Sequence, residues 1–171
     1  KYTNNSLLAI QISAANELAN IATGIGGIDI MEVMNGVYAD KRWSPILPNK
    51  SRIFPEILTY LVPGGGFGGS CFTKDLQGLR SKSYEVGIEP QILNAVLTVN
   101  GNQPYEVIKL LKKSLFNLNN KKILFLGLAF KPGTDDVRES VSIKIIDYLL
   151  KDKAVIFAHD PVAIENSNKV L

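Results

Sequence analysis

The residues best suited to chemistry lie together in Pro63-Gly64-Gly65-Gly66-Phe67-Gly68-Gly69-Ser70-Cys71-Phe72-Thr73-Lys74-Asp75. Cys71 is the only cysteine of the chain, and it follows a glycine-rich approach where a helix is expected to begin. A helix N-terminus carries partial positive charge that favours a thiolate over a thiol, and Lys74 adds a full charge nearby. Asp75 lies one helical turn after Cys71 on the same face, where a carboxylate can orient water or serve in proton transfer. A lone cysteine is ordinarily a buried structural residue; here the glycine approach and the helix start favour a nucleophile. The glycines also spell G-x-G-x-x-G (Gly64, Gly66, Gly69) after the apolar run 57–62, the pattern of a dinucleotide fingerprint. Context opposes that reading. Pro63 and bulky Phe67 sit in the turn, and Gly87-Ile88-Glu89-Pro90 leads into more helix rather than a second strand. Two alternatives stay open: a mobile glycine loop, or a tight turn that brings backbone N–H groups close to a ligand and delivers Cys71.

A second group of candidates is Phe130-Lys131-Pro132-Gly133-Thr134-Asp135-Asp136-Val137-Arg138-Glu139-Ser140, a loop expected at the carboxyl end of a strand. Ligands bind there in open α/β sheets. Lys131 and Arg138 could meet phosphate, and Asp135 or Asp136 could cap the next helix; a solvated charged loop is the plain alternative. Lys1 and Asn5 are spaced to face one way on a helix, which by itself assigns nothing. His159 and Trp43 read as structural.

These candidates need elements to hold them. From Asn5 to about Thr23, Leu7, Ile10, Ala14, Leu18 and Ile21 recur every three or four residues, which predicts an amphipathic helix ended by Gly24 and Gly26-Gly27. Asp29 with Glu32 is a capping-box pattern for a short second helix that stops near Gly36. Residues 38–62 contain Pro45, Pro48 and Pro55 and read as loop with short local structure. A third helix is predicted from Ser70 to about Glu85. Apolar residues from Ile92 to Leu111 predict one long helix or two in series, with Pro104 making a kink or break. At Lys121 the character changes. The run 121–130 reads as a buried parallel strand, 140–150 as a helix and 154–158 as a second strand, which together make a βαβ unit. The fold class is therefore α/β overall: an all-α module over residues 1–118, then over 119–171 the first part of a Rossmann-like βαβ domain.

Composition limits the function. The 171 residues carry 19 Lys+Arg against 16 Asp+Glu, a net charge of +3 with no basic run, which gives no footprint for nucleic acid. One histidine and one cysteine cannot make an internal disulfide or a metal cage. No apolar run reaches the roughly 18 residues that span a bilayer, so no membrane partner is expected. With no signal peptide visible, a cytoplasmic setting is the expectation. The chain starts at Lys1 without Met and stops soon after a strand, so both ends are expected to be cuts through a longer protein.

Taken together, the segments resemble the UDP-glucose/GDP-mannose dehydrogenase family. Residues 66–75 are similar to its nucleophile motif GFGGSCFPKD, with Thr73 where the motif has Pro, and residues 127–140 are similar to its second signature GLAFKPxTDDxRES. Asn16-Glu17, Asp40-Lys41-Arg42 and His159-Asp160-Pro161 fall where the family has NE, DxR and YDP, and Lys1 to Asn5 fits its K-x-x-x-N. The resemblance covers essentially the whole chain, but the family's N-terminal NAD-binding domain has no counterpart in these residues. It implies a central dimerisation module followed by the start of a UDP-sugar-binding domain.

The activity implied is oxidation of a nucleotide sugar's C6 alcohol to a carboxylate with two NAD, through a thiohemiacetal and a thioester on Cys71. The resemblance gives Asp75 a role in proton transfer, and Lys1 and Asn5 the oxyanion and the attacking water. It assigns Tyr60, Leu61, Val62, Pro63, Gly64, Gly68 and Lys131, with Lys1 and Asn5, to the nucleotide sugar, and Arg42 to the site of a neighbouring subunit in a homodimer built on the long first helix. Lys74 and Arg138 would lie toward NAD, which the absent domain would mainly hold. Gly65-Gly66-Phe67-Gly68-Gly69 points to UDP-glucose; GDP-mannose and UDP-N-acetylhexosamines are the alternatives within the family. Outside it stand a non-catalytic nucleotide-sugar binding or dimerisation module, which would not need Cys71 with Lys1 and Asn5, and a redox sensor, which lacks a resolving cysteine.

Overall fold

The computed structural model describes residues 1–171. The chain opens on helix α1 (Tyr2–Ile25), which ends where Gly26 takes a φ of +82°. The buried face of α1 is made of Ser6, Ala9, Ser13, Asn16 and Ala22, not of the larger apolar residues. Leu7, Ala14, Leu18 and Ile21 of the predicted stripe point outward, while Ile10 packs against the core of Ala9, Phe67, Leu76 and Val96. The reason is distance: small side chains let α3 and α4 pack closely against α1, which leaves the longer side chains on the outside. Helix α2 (Ile30–Ala39) starts where the Asp29 side chain accepts the Met31 N–H at 2.8 Å. It runs through Gly36, the expected stop, and ends at Asp40. Residues 40–55 form a loop with one isolated bridge, Ile46 to Arg52. A 3₁₀ turn (Glu56–Leu61) then buries Leu58 and Leu61 against Met34 of α2.

Helix α3 (Ser70–Glu85) holds the expected bounds. Helix α4 (Gln91–Leu115) is a single helix through Pro104. A proline ordinarily kinks or ends a helix because it donates no hydrogen bond. Here both flanking turns are pinned: Val96 packs in one core with Ala9, Phe67 and Leu76, and Ile108 in another with Leu118, Ile145, Leu149 and Ala154. Helix α4 is thus shared by the helical and the α/β parts.

Strands β1 (Lys122–Leu126) and β2 (Val155–His159) pair in parallel, Lys122 opposite Val155 through Leu126 opposite His159, joined by helix α5 (Val141–Lys151). A short helix α6 (Ile164–Ser167) follows. Strand β1 is shorter than the apolar run 121–130, because Gly127 leaves the extended region at φ +101°. It is also not buried on both faces as expected: α5 covers Ile123, Phe125 and Ile156, whereas Leu124 and Leu126 are exposed. No helix is long and apolar enough to cross a membrane.

Candidate active site

Cys71 occupies the second position of α3 and is exposed. The turn that delivers it is held on every side. The Gly64 N–H donates to Asn16 Oδ1 at 2.7 Å, and Gln103 Nε2 donates to the Gly64 carbonyl at 2.9 Å. The Phe67 N–H donates to Asn100 Oδ1 at 2.7 Å, and Asn100 Nδ2 returns a bond to the Phe67 carbonyl at 3.1 Å. The Gly69 N–H donates to the Arg138 carbonyl at 3.1 Å. The glycines are required by close packing: a Cβ on Gly68 would strike the Glu139 carbonyl, and one on Gly69, at φ +79°, would sit 2.7 Å from the Phe130 ring. Three amides of the turn, those of Gly64, Phe67 and Gly69, are thus bonded within the protein. What the turn does is bring the 130–139 loop against the start of α3.

That contact makes one wall of a cleft of about 470 Å³, lined among others by Ile12, Tyr60, Val62, Gly68, Cys71 and Lys131. Phe72 forms an aromatic floor with Phe67 and Tyr60, at centroid distances of 5.6 and 6.4 Å. Lys131 Nζ stands 5.4 Å from the Phe130 ring centroid, a cation over an aromatic face at the cleft edge. The arrangement offers a thiol at the positive end of a helix, an ammonium group and apolar walls. That suits an electrophilic carbon carried by a partly apolar, anionic ligand.

Asp75 is buried beneath this thiol turn, and its carboxylate accepts from Asn5 Nδ2 at 2.6 Å. Lys1 caps α1 one turn before Asn5 and is exposed. Asn5 and Asp75 therefore meet beside the cleft, and neither they nor Lys1 line it. Arg138 is held by Asp136, Nε and Nη2 donating at 2.9 and 2.7 Å. This guanidinium keeps the Asp136 carboxyl at about 2, and Asp136, with a smaller contribution from charge at Cys71, raises Arg138 in return. Arg42 is exposed and paired with Asp40 at 2.5 Å, away from the cleft, which holds Asp40 at about 2. Lys74 is exposed on α3.

Of the residues singled out in the sequence, the cleft brings together Cys71, Tyr60, Val62, Gly68 and Lys131. Pro63 and Gly64 lie in the turn beside it, while the side chain of Leu61 is turned into the core with Met34. Neither Asp135 nor Asp136 caps α5. Ser140 occupies that position, Asp136 binds Arg138, and Asp135 accepts from Asn166 Nδ2 at 3.0 Å. Sequence reasoning missed Asn100, Gln103 and Phe130 as supports. The available signal was a pair of amide side chains one turn apart on α4, beside the buried Pro104.

The helical module, the thiol at its helix start and the appended parallel βαβ unit define a class, and the family models match it in two blocks. Residues 1–102 match the central domain and residues 124–171 the UDP binding domain of the UDP-glucose/GDP-mannose dehydrogenase family. The chain belongs to that family. It is 41% identical over 166 residues to the UDP-glucose 6-dehydrogenase of Haloferax volcanii, covering 97% of this chain and 35% of that protein. With the Bacillus subtilis UDP-glucose 6-dehydrogenase it shares 37% over 171 residues, covering 100% and 36% respectively. The solved UDP-glucose dehydrogenase of Pyrobaculum islandicum superposes with a TM-score of 0.86 at 39% identity, over 100% of this chain and 36% of that one. The chain thus spans about a third of the length of the relatives it matches.

Proposed function

We propose that this chain supplies the nucleophile and nucleotide-sugar site of an NAD-dependent dehydrogenase that oxidises the C6 alcohol of UDP-glucose to the carboxylate of UDP-glucuronate. The observation that carries the reading is the cleft in which Cys71, at the start of α3, shares walls with Lys131 and an aromatic floor. Relatives named as UDP-glucose 6-dehydrogenases support the substrate. Lys131 neutralises a phosphate charge, and the Tyr60–Val62 side of the cleft receives the sugar. The alcohol first gives up a hydride and a proton and becomes an aldehyde. The Cys71 thiolate then forms a C–S bond to C6 as the C=O π bond opens to an alkoxide, and loss of a second hydride from C6 re-forms the carbonyl as a thioester. Water attacks C6, the C–S bond breaks, and the thiolate leaves. Asp75, whose carboxylate Asn5 holds, serves the proton transfer of that step, and Lys1 and Asn5 add positive and hydrogen-bonding character toward the oxyanion, all three acting from beside the cleft and not from its lining.

The fit to NAD is partial and consistent with these roles. Three amides of the glycine turn, those of Gly64, Phe67 and Gly69, are bonded within the protein and are not free to hold a dinucleotide. The exposed cations Lys74 and Arg138, flanking Cys71, would meet the dinucleotide from the side. NAD, when bound, accepts the two hydrides. A homodimer built on the outward stripe of α1, with Arg42 directed to the neighbouring subunit's site, completes the proposal.

Iodoacetamide tests the thiol. Cys71 in the folded chain should alkylate readily at neutral pH, and millimolar UDP-glucose should slow the reaction several-fold. A Cys71 that reacts only in denaturant sinks the site. In an active enzyme containing this chain, Cys71→Ser should stop uronate release by a factor of about 10³ or more, because a serine alkoxide is scarcely populated and an ester leaves poorly. Unchanged uronate formation by that variant excludes the nucleophile role.

A further inference from the structure

The loop that forms the cleft wall has an anchor outside the cleft. We infer that Asp160 is a positioning residue, whose carboxylate sets the Leu128–Asp135 segment, and with it Phe130 and Lys131, against the turn that carries Cys71. Asp160 is 7% exposed and does not line the cleft. Its Oδ2 accepts from the Leu128 N–H at 2.7 Å and from the Ala129 N–H at 3.2 Å. The next two residues are Phe130, whose ring packs on Gly69, and Lys131 at the cleft edge. The other oxygen, Oδ1, accepts from the Val162 and Ala163 N–H groups at 2.9 and 2.8 Å and so fixes the entry to α6. From α6, Asn166 reaches back with Nδ2 to the Asp135 carbonyl at 3.2 Å and to its carboxylate at 3.0 Å. One carboxylate therefore holds the segment at its start directly and at its far end through α6. Ser140 adds a third tie, its buried Oγ donating to the Leu128 carbonyl at 2.6 Å.

Four backbone donors on one carboxylate favour its ionised form strongly and push the Asp160 acid well below the ordinary carboxylate range. The anchor thus stays charged at any working pH. An amide cannot replace it: Asp160→Asn presents an NH₂ group to two of the four donors, and whichever pair loses its acceptor, one end of the segment is released.

The proposal uses the cleft of the proposed function, and the test keeps the two separable. In the full chain, amide hydrogen exchange of Asp160→Asn should speed up at Phe130 and at Gly69 by about tenfold, with Leu76 and Val96 unchanged. Neither Phe130 nor Gly69 bonds to Asp160; their N–H groups donate to the Asp136 and Arg138 carbonyls. Acceleration confined to Leu128, Ala129, Val162 and Ala163 would mean a local turn cap and would overturn the inference. Should Asp160→Asn fail to fold, Ser140→Ala leaves all four bonds of the carboxylate in place, and it should accelerate Phe130 and Gly69 in the same direction by about threefold. No change there rejects the proposal.

UDP affinity by calorimetry supplies the functional arm. Asp160→Asn should weaken UDP about tenfold, and by less than about twofold when Lys131→Ala is already present, because Asp160 acts through that wall. An undiminished loss in the double variant counts against it. A wild-type chain that does not bind UDP at all would refute the proposed function and leave the exchange result to decide on Asp160.

Discussion

At the scale of single residues, the site is organised by charges that are paired off and one exposed thiol that is not. Asp136 shows how this works. Its carboxylate is held at about 2 by Arg138, first through the side-chain hydrogen bond and then through the bond from the Arg138 backbone N–H. A carboxyl group depressed in the folded state adds stability above its unfolded value of roughly 3.9 and loses it as pH falls through the folded value. The 136–138 turn should therefore keep its ion pair at pH 4 and surrender it only near pH 2. A carbon-detected titration of Asp136 should show a midpoint near 2 in the wild-type chain. In Arg138→Ala it should move up toward the ordinary value; an unmoved midpoint would show that the guanidinium is not the cause. Cys71 stands apart from this economy of pairs. It is exposed, it follows no salt bridge, and its environment is the start of a helix.

Elements place these residues through close approach more than through bulk. The face that α1 gives to α3 and α4 is built from Ser6, Ala9, Ser13 and Asn16, and amide side chains from α1 and α4 bond the glycine turn between them. Gly69 is the most demanding position. Gly69→Ala meets both an unfavourable φ of +79° and the Phe130 ring at 2.7 Å. The backbone alone costs about 1–3 kcal/mol. A melting temperature lower by roughly 3–10 °C is expected, since each kcal/mol is worth about 2–4 °C in a chain of this size. Gly64→Ala is the control: its φ is ordinary and nothing lies within 4 Å of the added Cβ, so its melting temperature should stay close to wild type. Equal effects of the two substitutions would refute the packing account of this turn.

For the molecule as a whole, the outward stripe of α1 is the conspicuous surface. Leu7, Leu18, Ile21 and Ile25 are each more than half exposed, and Ile28 and Met31 extend the patch. Each such side chain buried on association is worth roughly 1.5–3 kcal/mol before the cost of ordering. The proposed homodimer accounts for this surface. Light scattering at micromolar concentration should report a dimer, and Leu18→Asp with Ile21→Asp should shift it to a folded monomer with an unchanged helical circular dichroism spectrum. A wild-type monomer, or a double variant that remains dimeric, removes α1 as the contact.

Much of this was legible in the order of residues. The helix starts at Asp29 and Ser70, the glycine stop after α1, the βαβ unit and the delivery of Cys71 to a helix N-terminus all follow from local chemistry, because caps, positive φ and apolar period act within a few residues. The motifs around Cys71 and Lys131 carried the family. What local chemistry cannot decide is which of two faces a helix buries, or whether a proline breaks it. The period of Leu7–Ile21 marks an apolar stripe without saying what covers it; most of it lies outside, because the neighbours of α1 need its small residues for close approach. Pro104 leaves one long helix or two in series open, and α4 is a single helix, because two separate cores pin it on either side. The meeting of Gly68 and Gly69 with Phe130 and Glu139, and the reach of Asp160 across to Leu128, join residues some 30 to 70 positions apart. Period and propensity extend over one element, whereas a cleft is made where elements meet. The sequence could therefore single out the thiol and the cation, but only the tertiary packing decided that they share a wall.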